Sequence, residues 1–335
     1  MKYSENVLNV LAALKCSRIG SAWIVKNYIP NMQEEELANK LNIDIDVLCE
    51  KKEEVKRKLD DLSEFVDGFV AFGDDDFPFV NIQNSNLFFN NNAPNRNTQK
   101  LKDSETPVFL SYKGDLKLLS ANNINIAVIG VLNPIPQIEE LEKNIVTKLV
   151  KNEAVIVSGL ALGCDTIGHK IALKNNMPTI AILPSTLADI VPAQNSDLAE
   201  EITLNGGLLI SEYYEKANSL KEQVSRFINR DRLQALFSDM VLLTASYSAD
   251  DTMKNKKLDS GSRHAMNKAR EYGIRTAVMY EKEIFSHDQF NLNKEYMQGI
   301  DIEIINSTNK NFKVFTQENT ELIFRKFKEY KLANI

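Results

Sequence analysis

The sequence is poor in the residues that build metal centres and disulfide frameworks. Its 335 residues include three cysteines and three histidines. Cys16, Cys49 and Cys164 lie far apart with no C-x-x-C pair. That spacing excludes a disulfide scaffold and fits a reducing compartment. His169, His264 and His287 share no metal-ligand spacing, so no zinc or iron site is expected. No apolar run reaches the roughly 18 residues of a membrane span. The first residues, Met1 to Leu11, carry Glu5 and Asn9 rather than a basic segment before an apolar block, which argues against a secretory signal. The expectation is a cytoplasmic protein with no membrane partner. The G-x-G-x-x-G fingerprint is missing as well, because Gly130 has no second glycine nearby. Nicotinamide chemistry is therefore disfavoured, and no cofactor is expected.

Positive charge is also scarce. Lysine and arginine number 40 against 46 acidic residues, a net charge of −6. The molecule as a whole repels a polyanion, so nucleic-acid binding requires a local basic patch. One exists. Between Lys254 and Arg275, seven basic residues face only Asp259 and Glu271. Hydrophobic content of 43% and charged content of 26% are ordinary for a globular chain. The length suffices for one large α/β domain and a small partner.

Residues 1–65 read as a helical domain. Val7, Leu8, Leu11 and Leu14 keep a helical period, as do Leu48, Val55, Leu59 and Leu62. The Ser17–Ser21 break has some likeness to a helix–hairpin–helix, but a short turn between packed helices accounts for it better. The Asn-rich stretch 81–105 reads as an exposed loop insertion. Beyond it, short apolar runs alternate with helical patterns. The runs are Ile124–Ile129, Ala154–Val157, Thr179–Leu183, Leu208–Ile210, Met240–Leu243 and Thr276–Met279. The helical patterns fall near 136–151, 166–175, 195–204, 221–236 and 262–272. Such alternation specifies an α/β fold, an extended Rossmann-like and mostly parallel sheet occupying residues 66–335. Ligands of such sheets bind at the carboxyl ends of the strands.

Several small-residue turns are expected at those ends. Ser158-Gly159 with Gly163, and Ser260-Gly261-Ser262 with Arg263, each open a helix. Glycine lets backbone N–H groups approach a phosphate. One such turn alone is as well explained by chain reversal; two on one edge, with Arg230 and Arg232 between, favour an anion site. Lys256 and Lys257 lie in a basic insertion, 247–258, near the same rim. Asp165 and His169 are four apart on one helix face, and a capping, structural pair explains them better than catalysis. Glu212 follows a strand, but no nucleophile, base and orienting group stand out, so no enzyme activity is expected.

The order of these pieces resembles the DprA/Smf (DNA-processing protein A) family from about Phe72 to about Ile305. Gly73-Asp74-Asp75-Asp76-Phe77-Pro78 is similar to its Gly-to-Tyr-Pro lead-in, and Pro107 to Leu110 with Gly114 to its P-x-x-L segment. Ser158-Gly159-Leu160-Ala161, Gly163, Asp165, His169 and Ala172-Leu173 match its most specific signature, S-G-x-A-x-G-I-D-x-x-A-H-x-x-A-L. Pro192 and Asn195, Ser211-Glu212, Phe227 with Arg230 and Arg232, and Ser260-Gly261-Ser262 with Ala265 resemble further motifs. The resemblance implies an extended Rossmann domain that binds single-stranded DNA without sequence preference. It also implies a homodimer that hands the strand to a RecA-type recombinase in DNA uptake and recombination, with no known catalytic step.

Three departures bear on the site. Where the family has Gly-Ser-Arg after the first strand, this chain has Gly130-Val131-Leu132. Leu162 stands where the family has an arginine, and Asp231 replaces the asparagine between the two arginines. The tail after Gln317 reads as one closing helix rather than a C-terminal winged helix. Loss of two positive charges leaves a second class of function open: a nucleotide-binding sensor or nucleotide N-glycosidase on the same Rossmann variant, in phage defence or a mobile element. Tyr213, Tyr214, Phe227 and Tyr247 are candidates for stacking on bases.

Overall fold

The computed structural model describes residues 2–78, 101–258, 261–298 and 312–333. Most of the expected 81–105 insertion, together with Asp259 and Ser260, lies outside the described residues.

Four helices open the chain: α1 (Glu5–Leu14), α2 (Ser21–Asn27), α3 (Glu34–Leu41) and α4 (Ile45–Leu62). The Ser4 hydroxyl accepts from the Val7 N–H at 3.2 Å and caps α1. Asp44 caps α4 by accepting from the Asp46 N–H at 2.9 Å. Each helix then buries the apolar stripe that its period dictates. Val7 and Leu11 on α1, and Leu48, Val55 and Leu59 on α4, share one core with Phe69, Phe109, Leu183 and Leu209 of the sheet. The helical unit is thus packed onto the sheet by a continuous apolar contact. Lys15 and Lys58 add an ionic clamp, each pairing with both Glu54 on α4 and Glu215 beyond the sheet.

The described strands form one sheet. They are β1 (Gly68–Ala71), β2 (Phe109–Gly114), β3 (Ile124–Ile129), β4 (Ala154–Ser158), β5 (Thr179–Leu183), β6 (Leu208–Ser211), β7 (Met240–Leu243), β8 (Arg275–Met279) and β9 (Phe312–Phe315). Their order is β1-β2-β6-β5-β4-β3-β7-β8-β9. The β1–β2 and β2–β6 pairs are antiparallel and the others parallel. The six apolar runs read from the sequence coincide with β3 to β8 within one residue at either end. β1, β2 and β9 have no counterpart among those runs. Lys113 and Lys313 interrupt β2 and β9, whereas β1 lies in an apolar run, Phe69 to Phe72, as long as those at β4 and β7.

Helices α5 (Pro136–Lys151), α6 (Cys164–Lys174), α7 (Ser196–Leu204), α8 (Leu220–Leu236), α9 (Ala249–Lys254), α10 (Ser262–Glu271), α11 (Asn291–Met297) and α12 (Thr320–Leu332) complete the fold. Alternation along β3 divides them into layers. Ile126 and Val128 face α5 and α12, through Ile138, Leu141 and Phe324. Ala127 and Ile129 face α8 and α10, through Leu233, Leu236, Ala265 and Met266. The chain runs from β3 outward through β4, β5 and β6, then returns to place β7 on the other side of β3. The β3–β7 boundary is therefore the topological switch point, where α/β sheets open a crevice at the carboxyl ends of their strands. No helix among the described residues is long and apolar enough to cross a membrane.

Candidate functional site

The loop after β4 is built from within. Ser158 is fully buried, and its hydroxyl donates to the Val128 carbonyl at 2.7 Å. The Asp165 carboxylate accepts from the N–H groups of Gly159 at 3.0 Å and Ala161 at 3.2 Å. Asn195 Nδ2 donates to the Leu160 carbonyl at 2.7 Å, holding the loop from the other side. Two expectations are corrected here. Asp165 does not cap α6; the cap position is Gly163, with no side-chain bond, and Asp165 instead organises the turn before the helix. The Gly159 N–H, expected to face a phosphate, is already bonded to that carboxylate. Gly163 serves loop packing. It has φ 72°, and a β-carbon there would lie 2.4 Å from the carbonyl oxygens of Val131 and Leu132.

His169 on α6 is fully buried. Its Nδ1 lies 2.8 Å from Thr179 Oγ1, whose hydroxyl donates to the Ile156 carbonyl at 2.7 Å. A hydroxyl has one proton to give, so the ring must donate from Nδ1. Burial, assisted by the Arg230 charge, lowers the His169 pKa to about 3. The imidazole is a neutral structural group, with no hydrogen-bond partner for Nε2 among the described residues.

The two arginines on α8, expected to line an anion site, are instead buried against partners within the protein. Arg230 is 6% exposed. Its Nη1 approaches the Ile182 carbonyl at 3.4 Å and Asp165 Oδ2 at 3.9 Å, and its Nε lies 3.3 Å from Asp231 Oδ1. Burial raises the Asp165 pKa, and the Arg230 charge opposes the rise. Arg232 forms a two-pronged pair with Glu212, Nη1 to Oε2 and Nη2 to Oε1, both at 2.7 Å. Its Nε donates to the Glu105 carbonyl at 3.1 Å. Glu212 raises the Arg232 pKa against the opposing pull of burial. A cavity of about 400 Å³ beside this pair is lined by Leu11, Leu14, Phe109, Tyr213 and Ile228 among others. Its charged groups satisfy one another, since Glu105 also pairs with Lys268 and accepts from Tyr272, each at 2.7 Å.

At the switch point the picture differs. Ser262 Oγ donates to the Gly130 carbonyl at 3.1 Å, bringing the start of α10, with Gly261 and Arg263, over the β3 loop. Gln289 Nε2 donates to the Asn133 carbonyl at 2.7 Å and contacts the Tyr247 hydroxyl at 3.3 Å, tying the β3 and β7 loops together. Lys256 and Lys257 are exposed. Neither they nor Arg263 has an ion pair among the described residues. The structure thus brings Ser158, Gly159, Gly163, Ser262 and Arg263 to one edge of the sheet, while the free cations sit on the α9–α10 side of it.

One group was missed in the sequence. Glu142, in the middle of α5, is fully buried, and neither carboxylate oxygen has a hydrogen-bond partner among the described residues. It lies beneath the crevice near Cys164 and Thr244, and burial pushes its pKa well above the usual carboxylate range. A β-carbon on Gly130 would lie 2.5 Å from Cys164 Sγ, so this floor is tightly packed. In sequence Glu142 lies four residues after Ile138 and four before Val146, on the apolar stripe of its helix, and that spacing is the signal of its burial. Among the described residues, no group of three or more His, Cys, Asp or Glu could hold a metal.

The family described as DNA recombination-mediator protein A matches residues 86–310, more than half of the chain. The DNA processing protein DprA of Streptococcus pneumoniae is 38% identical over 117 residues, which is 35% of this chain and 40% of the relative. Protein Smf of Borreliella burgdorferi is 32% identical over 146 residues, 43% of this chain and 45% of that protein. The matched segment spans less than half the length of these relatives. Among solved structures, that of DNA processing protein A from Streptococcus pneumoniae superposes with a TM-score of 0.66 at 22% identity, covering 96% of this chain and 98% of the other. DNA processing protein A from Helicobacter pylori, described by its single-stranded DNA binding mode, gives a TM-score of 0.54 at 25% identity, covering 77% and 96%.

Proposed function

The chain belongs to the DNA recombination-mediator protein A family, and from that premise we propose that it binds single-stranded DNA without sequence preference at the carboxyl edge of its sheet. The observation that carries this reading is the pairing of cations on that edge. Arg230 and Arg232 are committed to internal partners. Arg263, Lys256 and Lys257 form no ion pair among the described residues, and they lie on the side of the switch point where a ligand of this sheet belongs. Unpaired cations along a rim supply the sequence-independent part of strand binding by releasing counterions. The buried loop after β4 supports the rim without touching phosphate itself.

The same reading includes a homodimer, delivery of the bound strand to a RecA-type recombinase, and no catalytic step. Fluorescence anisotropy with a labelled oligonucleotide across a salt series tests the binding. The expected result is affinity that falls steeply with salt and is indifferent to sequence. An absence of strand binding at low salt, with a thermal shift on adding a single nucleotide, overturns it in favour of a nucleotide sensor. Light scattering on the free protein tests the dimer.

A further inference from the structure

A surface helix buries its apolar stripe and offers water its polar face. Helix α8 departs from that rule. Its exposed residues are Leu220, Lys221, Val224, Ser225, Ile228 and Asn229. Leu220, Val224 and Ile228, at 82%, 61% and 44% exposure, recur every four residues. They form one outer stripe about 12 Å long. None of the three belongs to, or packs against, any of the three core clusters. Single exposed aliphatic residues are commonplace, but a continuous row of three marks a contact surface. The stripe ends at a depression. Ile228 and Asn229 form part of the wall of the cavity of about 400 Å³, together with Leu11, Leu14, Phe109 and Tyr213. This stripe lies away from the carboxyl-edge crevice. Arg230 reaches toward Asp165 and the β4 turn, and Ile228, two residues earlier, points about 200° round the helix from it.

The charges around the stripe indicate its occupant. No acid is among the exposed residues of α8. The acids nearest in the chain are spent inside the protein. Glu222 accepts from Arg226 and from the Asn218 N–H, and Glu215 pairs with Lys15 and Lys58. Lys221, beside Leu220 and Val224, is exposed and forms no ion pair among the described residues. Lys216, at the same end, is also exposed, with Asp189 3.9 Å away. The face is therefore apolar and locally basic in a chain of net charge −6. A second copy of the chain does not suit it, because a two-fold contact sets the face against itself and opposes lysine to lysine. We propose that the outer face of α8 docks an acidic, amphipathic helical segment of a partner protein. One large apolar side chain of that segment is anchored in the cavity, and the next lies along Val224 and Leu220. Aspartate or glutamate beside those anchors meets Lys221 and Lys216. Docking there leaves the carboxyl edge open, so strand and partner are held on separate faces. This goes beyond the strand-binding reading and does not depend on it.

The test selects phage-displayed random peptides of about twelve residues, some three helical turns, on the intact chain. The expected yield is peptides with two large apolar residues at helical spacing and Asp or Glu beside them. Labelled synthetic copies should bind the wild-type protein in fluorescence anisotropy. Leu220→Glu/Val224→Glu should weaken them by about tenfold or more, the scale of a lost anchor. Leu220→Ser/Val224→Ser, which adds no charge, should weaken them as well. Both variants should keep the wild-type melting temperature and strand affinity, because the two positions are exposed. Recovery of no peptide overturns the proposal, as does recovery of peptides that lack acids or bind the variants as tightly as wild type. Loss of strand affinity in the variants also overturns it and assigns the face to the strand. A protein that binds these peptides but no oligonucleotide overturns only the strand-binding reading.

Discussion

The Arg230 guanidinium fills the space that a β-carbon on Gly159 would need: an ideal Cβ there lies 1.1 Å from Arg230 Nη1. The glycine of the β4 turn therefore has a reason independent of any ligand. It admits a buried guanidinium whose charge faces Asp165, and Asp165 in turn holds the Gly159 and Ala161 N–H groups. Gly159→Ala is expected to displace Arg230 and cost roughly 1–3 kcal/mol, the usual scale of overpacking. In an Arg230→Ala background the same change should cost much less, giving a coupling of about 1 kcal/mol or more in a double-mutant cycle. Urea unfolding of the four proteins measures it, and additive effects would contradict the contact.

Arg232 and Glu212 are both largely buried, at 11% and 15% side-chain exposure. Arg232→Ala strands the carboxylate and is expected to destabilise the fold by roughly 3–5 kcal/mol. Arg232→Lys should fall between, because an ammonium cannot reproduce the two parallel bonds. The change belongs in the denaturation midpoint. A variant with a wild-type midpoint but weakened strand binding would restore Arg232 as a phosphate contact.

Phosphate contact is instead expected from the α9–α10 segment. Lys256→Ala/Lys257→Ala should flatten the salt dependence of strand binding by about 1.4 in log–log slope, since each single-strand phosphate contact contributes about 0.7. Arg263→Ala should subtract about 0.7 more. Thermal stability should be unaffected by the two exposed lysines. An unchanged slope in the triple variant places the strand elsewhere.

His169 makes stability depend on acid. Its folded pKa of about 3 lies below the unfolded value near 6.5. Between those values the unfolded chain binds a proton that the folded chain refuses. Stability from this group is therefore complete above about pH 6.5 and is lost as pH falls toward 3. His169→Asn should flatten that acid limb, read from urea midpoints between pH 3 and 7. A limb as steep as wild type would show that the histidine titrates freely.

Glu142 has the opposite sign. Its folded pKa is raised, so above the unfolded value of about 4.3 the folded chain keeps a proton that the unfolded chain has released. Stability then falls as pH rises, by up to about 1.4 kcal/mol per unit, until the folded pKa is reached. Glu142→Gln keeps the shape and removes the proton, and should raise the urea midpoint at pH 7–9 relative to wild type. Equal midpoints across pH 4–9 would mean that the carboxyl group reaches solvent.

The sequence by itself determined the parallel sheet. Strands buried on both faces must be continuously apolar, and the runs at β3 to β8 are legible for that reason. It also determined the helices between them and the order of motifs that marks the family. Strands β2 and β9 escaped because Lys113 and Lys313 interrupt their apolar residues, and β1 because its run, Phe69 to Phe72, lies outside the stretch where apolar runs alternate with helices. What only the tertiary structure decided is which charges are free. Arg230 and Arg232 stand in the sequence as a basic pair, yet their partners Asp165 and Glu212 come from elsewhere in the chain. Glu142 falls on the apolar stripe of α5, but only the fold shows it buried beside Cys164 and Thr244. Leu132 and Leu162 read as lost arginines and become an exposed apolar pair. Whether a charge meets water, a partner or a ligand depends on groups distant in sequence, and only folding brings those together.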